Sequence, residues 1–380
     1  MSVRSLLDFM EGRKEAKPKK PEPKRLKVLL VQVDGKWPNL ALMKLSTFHK
    51  AQGHDVALLR LPTYDRRRLG PPKDLTIRPP RGFERPDVAY ISCIFTWNAP
   101  LAHGMAEFLK AQGAEVYLGG SGVDLKATLP DEVEHLMPDY DLYGVDFSMG
   151  FLTRGCIRRC PWCIVPQKEG HIKRWSPLSE FLHPKHRKVM LLDNNLLAHP
   201  DAPDMLRELV ALSRTRGLMV CFTQGLDIRL ITPEMAKLLR RIDYRDPEFN
   251  RKALYFAWDI PSEEEEVLRG IEVLVKAGIP KSHLRFYALM GYGVRAEDYT
   301  WEYFMENDWH RYETLSKLGV KMIPMIYNNR PDLPLARAFR KWCFHMRKAR
   351  LKRLGELRSF VTYLRHEHPD VFERYRGEIA

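Results

Sequence analysis

Apolar runs alternate with segments of helical periodicity over most of the 380-residue chain. In the first third, the apolar runs predict four strands, and apolar residues at helical spacing predict helices after the first and third strands. The predicted strands lie at 27–33, 54–59, 87–94 and 115–118, and the predicted helices begin near 40 and span 101–112. Continuous apolar strands separated by helices are typical of a parallel sheet covered on both faces. The sequence therefore predicts a Rossmann-like domain over 26–145.

A second alternation of the same kind begins at Asp146. It predicts six strands, at 147–152, 188–192, 217–222, 253–258, 283–290 and 320–325. Helices are predicted between them, near 202–215, 233–242, 262–277 and 298–317. The fold class is therefore α/β in this region too, and we expect a second domain over 146–330. Polar residues that follow its strands are candidates for function, because chemistry gathers at the carboxyl ends of parallel strands.

The net charge of +14 is concentrated near the two ends of the chain. Residues 1–27 carry an excess of five positive charges and residues 336–365 an excess of nine, which together equal the whole. We expect 1–25 to be a disordered basic tail, because most of it cannot contribute to a core. Residues 331–380 are predicted to be a basic helical extension. Its helix either packs on the preceding domain with a solvated basic face or binds the phosphates of a nucleic acid.

Composition points to a reducing compartment. No apolar run approaches the ~18 residues that span a bilayer, and the charged, proline-rich start has no signal-peptide core. Three of the six cysteines are clustered, which is unlike a disulfide framework. We therefore expect a cytoplasmic protein with no membrane partner.

The clustered cysteines are Cys156, Cys160 and Cys163, with C-x3-C-x2-C spacing. Three thiolates at this spacing can hold three irons of a cubane cluster and leave the fourth iron to an exogenous ligand. Zinc is the alternative, with His171 as the nearby fourth ligand, although its distance from Cys163 fits no common finger spacing. Cys93, Cys221 and Cys343 lie singly in apolar or helical runs and are predicted to be inert thiols.

The cysteine motif, with the aromatic Trp162 directly before its last cysteine, resembles that of the radical S-adenosylmethionine (SAM) family. The resemblance covers about 147–330 and implies a partial (β/α)6 barrel, a [4Fe–4S] cluster on the three cysteines, and SAM chelated at the open iron. It also implies an external one-electron reductant, whose electron cleaves SAM to a 5′-deoxyadenosyl radical that abstracts hydrogen from a substrate.

The same resemblance assigns SAM-binding roles to polar residues and a glycine at strand ends. Asp193 and Asn194 stand where the family receives the methionine amino group. The remaining cofactor-binding candidates are Gln224, Asp227 and Arg229 for the ribose and carboxylate, Asp259 near the ribose, Gly291 near the adenine, and Trp162 beside the last cysteine. No catalytic residue and no substrate can be named from the sequence.

The first domain resembles the cobalamin-binding-like domain that precedes the barrel in one class of this family. The matching stretches are 38–43, 51–56, 86–92 and 118–120. The glycine pair Gly119-Gly120 implies a backbone that a cobalamin nucleotide tail can approach, and a sheet domain without cobalamin is the alternative. The loop after the first strand has no histidine to ligate cobalt, and His49 in the next helix is expected at the surface.

The sequence thus predicts a radical SAM enzyme, with methyl transfer as one outcome if cobalamin binds. A non-catalytic nucleic-acid-binding protein, stabilised by zinc or a cluster, is the alternative from another class. A third possibility is a barrel that keeps the cluster but catalyses no reaction. Polar residues at successive strand ends favour the enzyme, because a binding module does not need them.

Overall fold

The computed structural model describes residues 24–61, 79–345 and 357–379. Most of the predicted tail 1–25 and the basic segment 346–356 therefore lie outside the described residues. The fold is mixed α/β with parallel sheets, as the sequence predicts. Within the described ranges, no helix has the length and apolar character needed to cross a membrane. Two compact units are present, one formed by the chain up to 36 and 48–123, the other by 37–47 and the chain from 124 onward.

The first unit is built on a four-stranded parallel sheet in the order β2-β1-β3-β4. Its strands are β1 (Lys27–Gln32), β2 (Asp55–Arg60), β3 (Val88–Ser92) and β4 (Glu115–Gly119). Helix α1 (Leu40–Ala51) follows β1, and α2 (Ala99–Ala111) follows β3. Strand β1 is buried from Val28 onward because it pairs with a strand on each side. The strand order reverses between β1 and β3, where open parallel sheets commonly bind ligands.

The second unit contains two parallel sheets, in the orders β10-β9-β8-β5 and β11-β12-β13. The strands of the first sheet are β5 (Ser148–Gly150), β8 (Lys188–Leu191), β9 (Met219–Phe222) and β10 (Asp243–Tyr244). Those of the second are β11 (Leu254–Ala257), β12 (Leu284–Met290) and β13 (Lys321–Ile326). A separate antiparallel hairpin is formed by β6 (Thr153–Arg154) and β7 (Lys173–Arg174).

The helices of this unit lie between and after the strands. They are α3 (Asp131–Glu134), α4 (Val165–Lys168), α5 (Ala202–Arg216), α6 (Pro233–Arg241), α7 (Glu264–Lys276), α8 (Trp301–Phe304), α9 (His310–Lys317), α10 (Pro334–His345), α11 (Leu357–Glu367) and α12 (Pro369–Tyr375). Most of these helices and the strands contribute to one large hydrophobic core, and Met149, Met190 and Cys221 belong to a second, smaller cluster.

The two sheets of the second unit meet at a seam that one backbone hydrogen bond crosses. Leu226 N, which follows β9, donates to the carbonyl oxygen of Tyr255 in β11 at 2.8 Å. Gly225 has φ +90° there, and a Cβ on it would lie 3.2 Å from the same oxygen. Among the described residues, no strand ladder joins the two sheets, so the strands form no closed barrel.

The helical extension packs on the second unit through aromatic side chains. Phe339 and Trp342 of α10 and Phe360 of α11 are fully buried. Their rings contact Phe304 and Trp309, with centroids about 5–6 Å apart. This arrangement matches the expected amphipathic helix that packs on the preceding domain.

A buried ionic cluster lies beneath the carboxyl ends of β11 and β12. The π-helical turn Met305–Trp309 separates α8 from α9, so the predicted helix over 298–317 is not continuous. Arg311, which follows this turn, donates to the carbonyl oxygens of Trp258 (2.7 Å), Asp259 (2.8 Å) and Leu289 (2.9 Å). Its guanidinium also pairs with Asp308 at 2.6 Å. A π-helical turn of this kind places one side chain out of α-helical register.

The predicted strands agree with the structure to within two residues at each end. The antiparallel hairpin and β10 were not predicted, because two-residue strands carry almost no periodicity. The prediction for His49 was wrong: its side chain is only 6% exposed, and its Nε2 lies 3.0 Å from the Tyr90 hydroxyl. Burial lowers the pKa of His49 to about 4.

Candidate functional site

The three clustered cysteines lie on one loop that the β6–β7 hairpin closes. Thr153 pairs with Arg174, and Arg154 with Lys173. Gly155 follows with φ +87°, and a Cβ there would overlap the carbonyl oxygen of His171 on the returning strand. Because only glycine avoids both the strain and the overlap, this position fixes how the loop leaves the hairpin.

Arg154 ties the two ends of this loop together. Its guanidinium lies 3.5 Å from Glu169, which follows α4, and 3.3 Å from the buried Glu134. It also lies over the ring of Trp175, 4.6 Å from the centroid. Glu134 in turn pairs with Lys44 of α1 at 2.9 Å. Burial lowers the pKa of Lys44, and the charge of Glu134 opposes this effect.

The three thiols are half-buried and interact electrostatically. Burial raises the pKa of Cys160 and of Cys163, and the negative charges of Cys156 and Asp259 raise both further. Two backbone N–H groups donate to the sulfurs: Arg158 N to Cys156 at 3.3 Å and Val165 N to Cys163 at 3.5 Å. Such donors favour thiolates, the form that ligates metals.

The carboxyl end of β8 holds the start of the cysteine loop. Asp193 is 5% exposed and accepts from Thr153 Oγ1 at 2.7 Å and from the backbone N–H groups of Thr153 and Leu152. Burial raises the pKa of Asp193 to about 6, although these donors oppose the shift. Asn194 Oδ1 accepts from Gly155 N at 3.0 Å. Both side chains expected near SAM therefore bind the backbone of the loop in this structure.

Asn195, for which the sequence analysis named no role, contacts a cysteine directly. Its side chain is 4% exposed, and Nδ2 lies 3.3 Å from Cys156 Sγ and 3.3 Å from Asp227 Oδ2. Its Oδ1 is buried and has no hydrogen-bond partner among the described residues. The only sequence signal was its place as the third polar residue after a buried strand.

An ionic chain crosses the carboxyl end of β9. Asp227 accepts from Arg229 Nε at 2.7 Å and from Arg158 Nε of the cysteine loop at 3.0 Å. Arg229 also pairs with Glu263, which precedes α7. Burial alone would raise the pKa of Asp227, but the two arginines hold it below its usual value. The pKa of Glu263 is raised because burial outweighs the charge of Arg229.

Asp259, which follows β11, lies near Trp162, the residue directly before the last clustered cysteine. Asp259 Oδ1 accepts from Leu289 N at 3.1 Å, and the Trp162 side chain interacts with this carboxylate. Burial raises the pKa of Asp259. The Trp162 ring meets Tyr292 edge to face, with centroids 5.1 Å apart, and Tyr292 meets Tyr327 in the same way at 4.9 Å.

The two remaining candidates have different surroundings. Gly291 has φ +74°, and a Cβ on it would overlap the side chain of Leu333. Its carbonyl oxygen accepts from Arg330 at 3.0 Å. Gln224 is exposed between β9 and Gly225. The structure thus links Asp193, Asn194, Asp227, Asp259 and Trp162 to the cysteine loop, and it adds Asn195, Arg158 and Glu263 to the set.

The other cysteines are distributed over separate elements. Burial raises the pKa of Cys93, which follows β3, and of Cys221 in β9, to about 12 each. Both are fully buried, and Cys343 is half-buried in α10. These surroundings fit the predicted inert thiols, because a buried neutral thiol is a poor nucleophile.

The sheet edge proposed for cobalamin is occupied by the first unit itself. A Cβ on Gly120 would overlap the carbonyl oxygen of Cys93, and one on Gly122 would lie 2.7 Å from backbone atoms of Phe95. The buried carboxylate of Asp34 accepts from Ile94 N at 2.8 Å and Phe95 N at 3.0 Å. The glycines therefore accommodate the segment after β3, and this close packing explains them without a cobalamin nucleotide tail.

A cubane cluster fits the cysteine loop by the chemistry of its donors: three half-buried thiols, N–H groups that donate to sulfur, and arginines that offset negative charge. Across the described ranges, no three histidine, cysteine or acidic side chains already stand in a metal-binding arrangement. Neither the protein-family models nor the curated proteins searched give a match to the chain.

Proposed function

We propose that this protein is a radical SAM enzyme. Cys156, Cys160 and Cys163 would hold three irons of a [4Fe–4S] cluster, and SAM would bind the fourth. In this proposal the strands β5, β8, β9, β11, β12 and β13 correspond to the partial (β/α)6 barrel of the family. When bound, the cluster supplies reductive cleavage of a carbon–sulfur bond of SAM, which leads to hydrogen abstraction from a substrate.

One observation carries the proposal: side chains that follow three parallel strands, β8, β9 and β11, interact with the cysteine loop. Asp193 after β8 and Asp227 after β9 each accept a hydrogen bond from this loop, and the charge of Asp259 after β11 raises the pKa of Cys160 and Cys163. A zinc knuckle that only stabilises a fold needs four ligands and no such convergence of carboxylates. Convergence at strand ends is what an α/β active site requires.

The polar groups have distinct roles in the proposal. Arg229 suits the methionine carboxylate, because a guanidinium binds a carboxylate through two parallel hydrogen bonds. In this structure Asp227 holds Nε and Nη2 of Arg229 and Glu263 holds Nη1, so the ligand would replace Glu263 and one of the bonds to Asp227. Asp227 and Gln224 would bind the ribose hydroxyls, with Asp259 near the ribose. Trp162 and Gly291 would flank the adenine.

The Asp193 and Asn194 side chains bind the cysteine loop. Their role in SAM binding would therefore be to position this loop. Free backbone or amide groups at the end of β8 would receive the methionine amino group. The enzyme needs an external one-electron reductant. A reducing compartment suits such a cluster, and the proposal therefore includes a cytoplasmic location. The basic ends of the chain keep nucleic acid as a candidate substrate class.

The test is anaerobic reconstitution with iron and sulfide, followed by reduction with dithionite in the presence of SAM. The product to measure by mass is 5′-deoxyadenosine. We expect it from the wild type and from Cys343→Ala, whose cysteine lies on α10, and not from Cys160→Ala. One tightly held zinc ion with no cluster absorbance would overturn the proposal and favour the nucleic-acid-binding alternative.

A further inference from the structure

Among the described residues, Asn195 is the side chain that donates a hydrogen bond to a clustered cysteine. Its Nδ2 lies 3.3 Å from Cys156 Sγ. The other two donors to these sulfurs, Arg158 N and Val165 N, belong to the loop backbone. A substitution can therefore remove the Asn195 donor and leave the loop's own hydrogen bonds in place.

The orientation of the Asn195 amide follows from its neighbours. Nδ2 lies between two acceptors, Cys156 Sγ and Asp227 Oδ2, each 3.3 Å away. A flipped amide would place its oxygen against a thiolate and a carboxylate, and would lose both hydrogen bonds. The amide N–H therefore faces the sulfur.

The burial of the Asn195 amide is not what stability of the fold alone would favour. Asn195 Oδ1 is buried without a hydrogen-bond partner in the described part of the chain, which is costly for a polar atom. Asp227 does not depend on the amide, because Arg158 and Arg229 already donate to it. Buried, incompletely paired polar groups of this kind commonly have a functional reason.

We propose that Asn195 raises the reduction potential of a cluster on Cys156 by donating its amide N–H to that sulfur. The inference rests on the proposed function, because it requires the cluster. Hydrogen bonds to cysteine sulfurs are among the factors that set cluster potentials. The reduced cluster carries one more negative charge, so the donor stabilises it more than it stabilises the oxidised cluster. Without the donor, the midpoint potential falls.

The experiment compares cluster midpoint potentials in reconstituted protein, measured by redox titration with electron paramagnetic resonance detection. Asn195→Leu removes the donor at similar volume, and Asn195→Asp replaces it with an acceptor that carries charge. We expect the potential to fall in the order wild type, Leu variant, Asp variant. Asn250→Leu, at an exposed position, is the matched control and keeps the wild-type potential.

Urea unfolding of the same proteins separates tuning from a structural role. We expect Asn195→Leu to unfold no earlier than the wild type, because it removes a buried unpaired oxygen together with the donor. An unchanged midpoint in the cluster-loaded Leu variant would overturn the inference. Failure of both Asn195→Leu and Asn195→Val to load a cluster would also overturn it, since the amide would then serve assembly. A wild type that loads no cluster contradicts the proposed function instead.

Discussion

Arg158 of the cysteine loop and Asp227 after β9 form an ion pair, with Nε 3.0 Å from Oδ2. The Asp227 side chain is 5% exposed and the Arg158 side chain 34% exposed. Arg229 pairs with the same carboxylate and also with Glu263, so two acids hold the two arginines. The loop that carries the cysteines is therefore held to the second unit partly by charge.

The two partners of this ion pair should differ in their contributions to stability. Asp227→Asn leaves Arg158 without a countercharge and Arg229 with Glu263 alone, and we expect a loss of about 3–5 kcal/mol in the free energy of unfolding. Arg158→Met leaves Asp227 paired with Arg229, and a loss of about 1 kcal/mol is expected. Urea unfolding of both variants measures the difference. Equal losses would show that Asp227 acts through Arg158 alone.

Gly155 and Gly170 provide a matched pair within the cysteine loop. Both have positive φ, +87° and +73°, but only a Cβ on Gly155 would meet other atoms of the chain within 4 Å. We expect Gly170→Ala to cost about 1 kcal/mol through backbone strain alone, and Gly155→Ala to cost clearly more. Iron bound per chain after reconstitution should fall in Gly155→Ala and be retained in Gly170→Ala. Similar iron loading in the two variants would contradict the role assigned to Gly155.

Asp193 should make stability depend on pH. Its folded pKa of about 6 lies above the ordinary value of 3.8, so the folded protein binds the proton more tightly than the unfolded chain does. This contribution is complete below about pH 4 and is lost as the pH rises through about 6. Relative to Asp193→Asn, the wild type should lose about 3 kcal/mol between pH 4 and pH 7. Urea unfolding across this range checks it, and a constant difference between the two proteins would refute it.

Arg311 should tolerate no substitution, including the conservative one. Lysine keeps the charge but cannot reach three carbonyl oxygens and Asp308 in one planar fork. We expect Arg311→Lys to lower the free energy of unfolding by about 3 kcal/mol or more, because it leaves buried polar groups unpaired. Arg358→Lys, at an exposed position in α11, is the control and should stay within about 0.5 kcal/mol of the wild type. If urea unfolding finds Arg311→Lys as stable as this control, the role of the guanidinium is refuted.

The first unit should not retain cobalamin. The space beside Gly120 and Gly122 is filled by the backbone of Cys93 and Phe95. Equilibrium dialysis against hydroxocobalamin, read by absorbance, should leave equal concentrations on both sides at low micromolar protein. A known cobalamin-binding domain is the positive control, and stoichiometric uptake by this protein would show that the segment after β3 moves aside.

The sequence predicted the strands well because buried parallel strands are continuous apolar runs, a signal that neighbouring residues carry on their own. The residues at the strand ends were predictable as a set for a similar reason, since parallel strands bring their carboxyl ends together. The hydrogen-bond partners of these residues were not predictable. Whether Asp193 faces a ligand or the Thr153 backbone depends on side-chain geometry that no local pattern encodes.

The sequence did not predict the contacts made by three residues, Glu263, Asn195 and Arg311. Glu263 belongs to a run of four glutamates at the start of α7, where a solvated face is the ordinary expectation. Arg311 is separated by some 50 residues from the carbonyl groups that it binds, at Trp258 and Asp259. His49 was predicted wrongly for a related reason: the neighbours that bury it come from other strands, and helical spacing alone does not reveal them.

The seam between the two sheets of the second unit distinguishes this arrangement from a closed barrel. Closed barrels have a circumference fixed by strand number and register, so their mouths cannot widen without breaking ladders. Here the hydrogen bond from Leu226 N to the oxygen of Tyr255 spans the gap, and the described strands form no ladder across it. Rotation of one sheet against the other disturbs that bond and leaves every strand pair intact. The joint between the two sheets therefore rests on side chains, such as the Arg229–Glu263 ion pair, more than on backbone ladders.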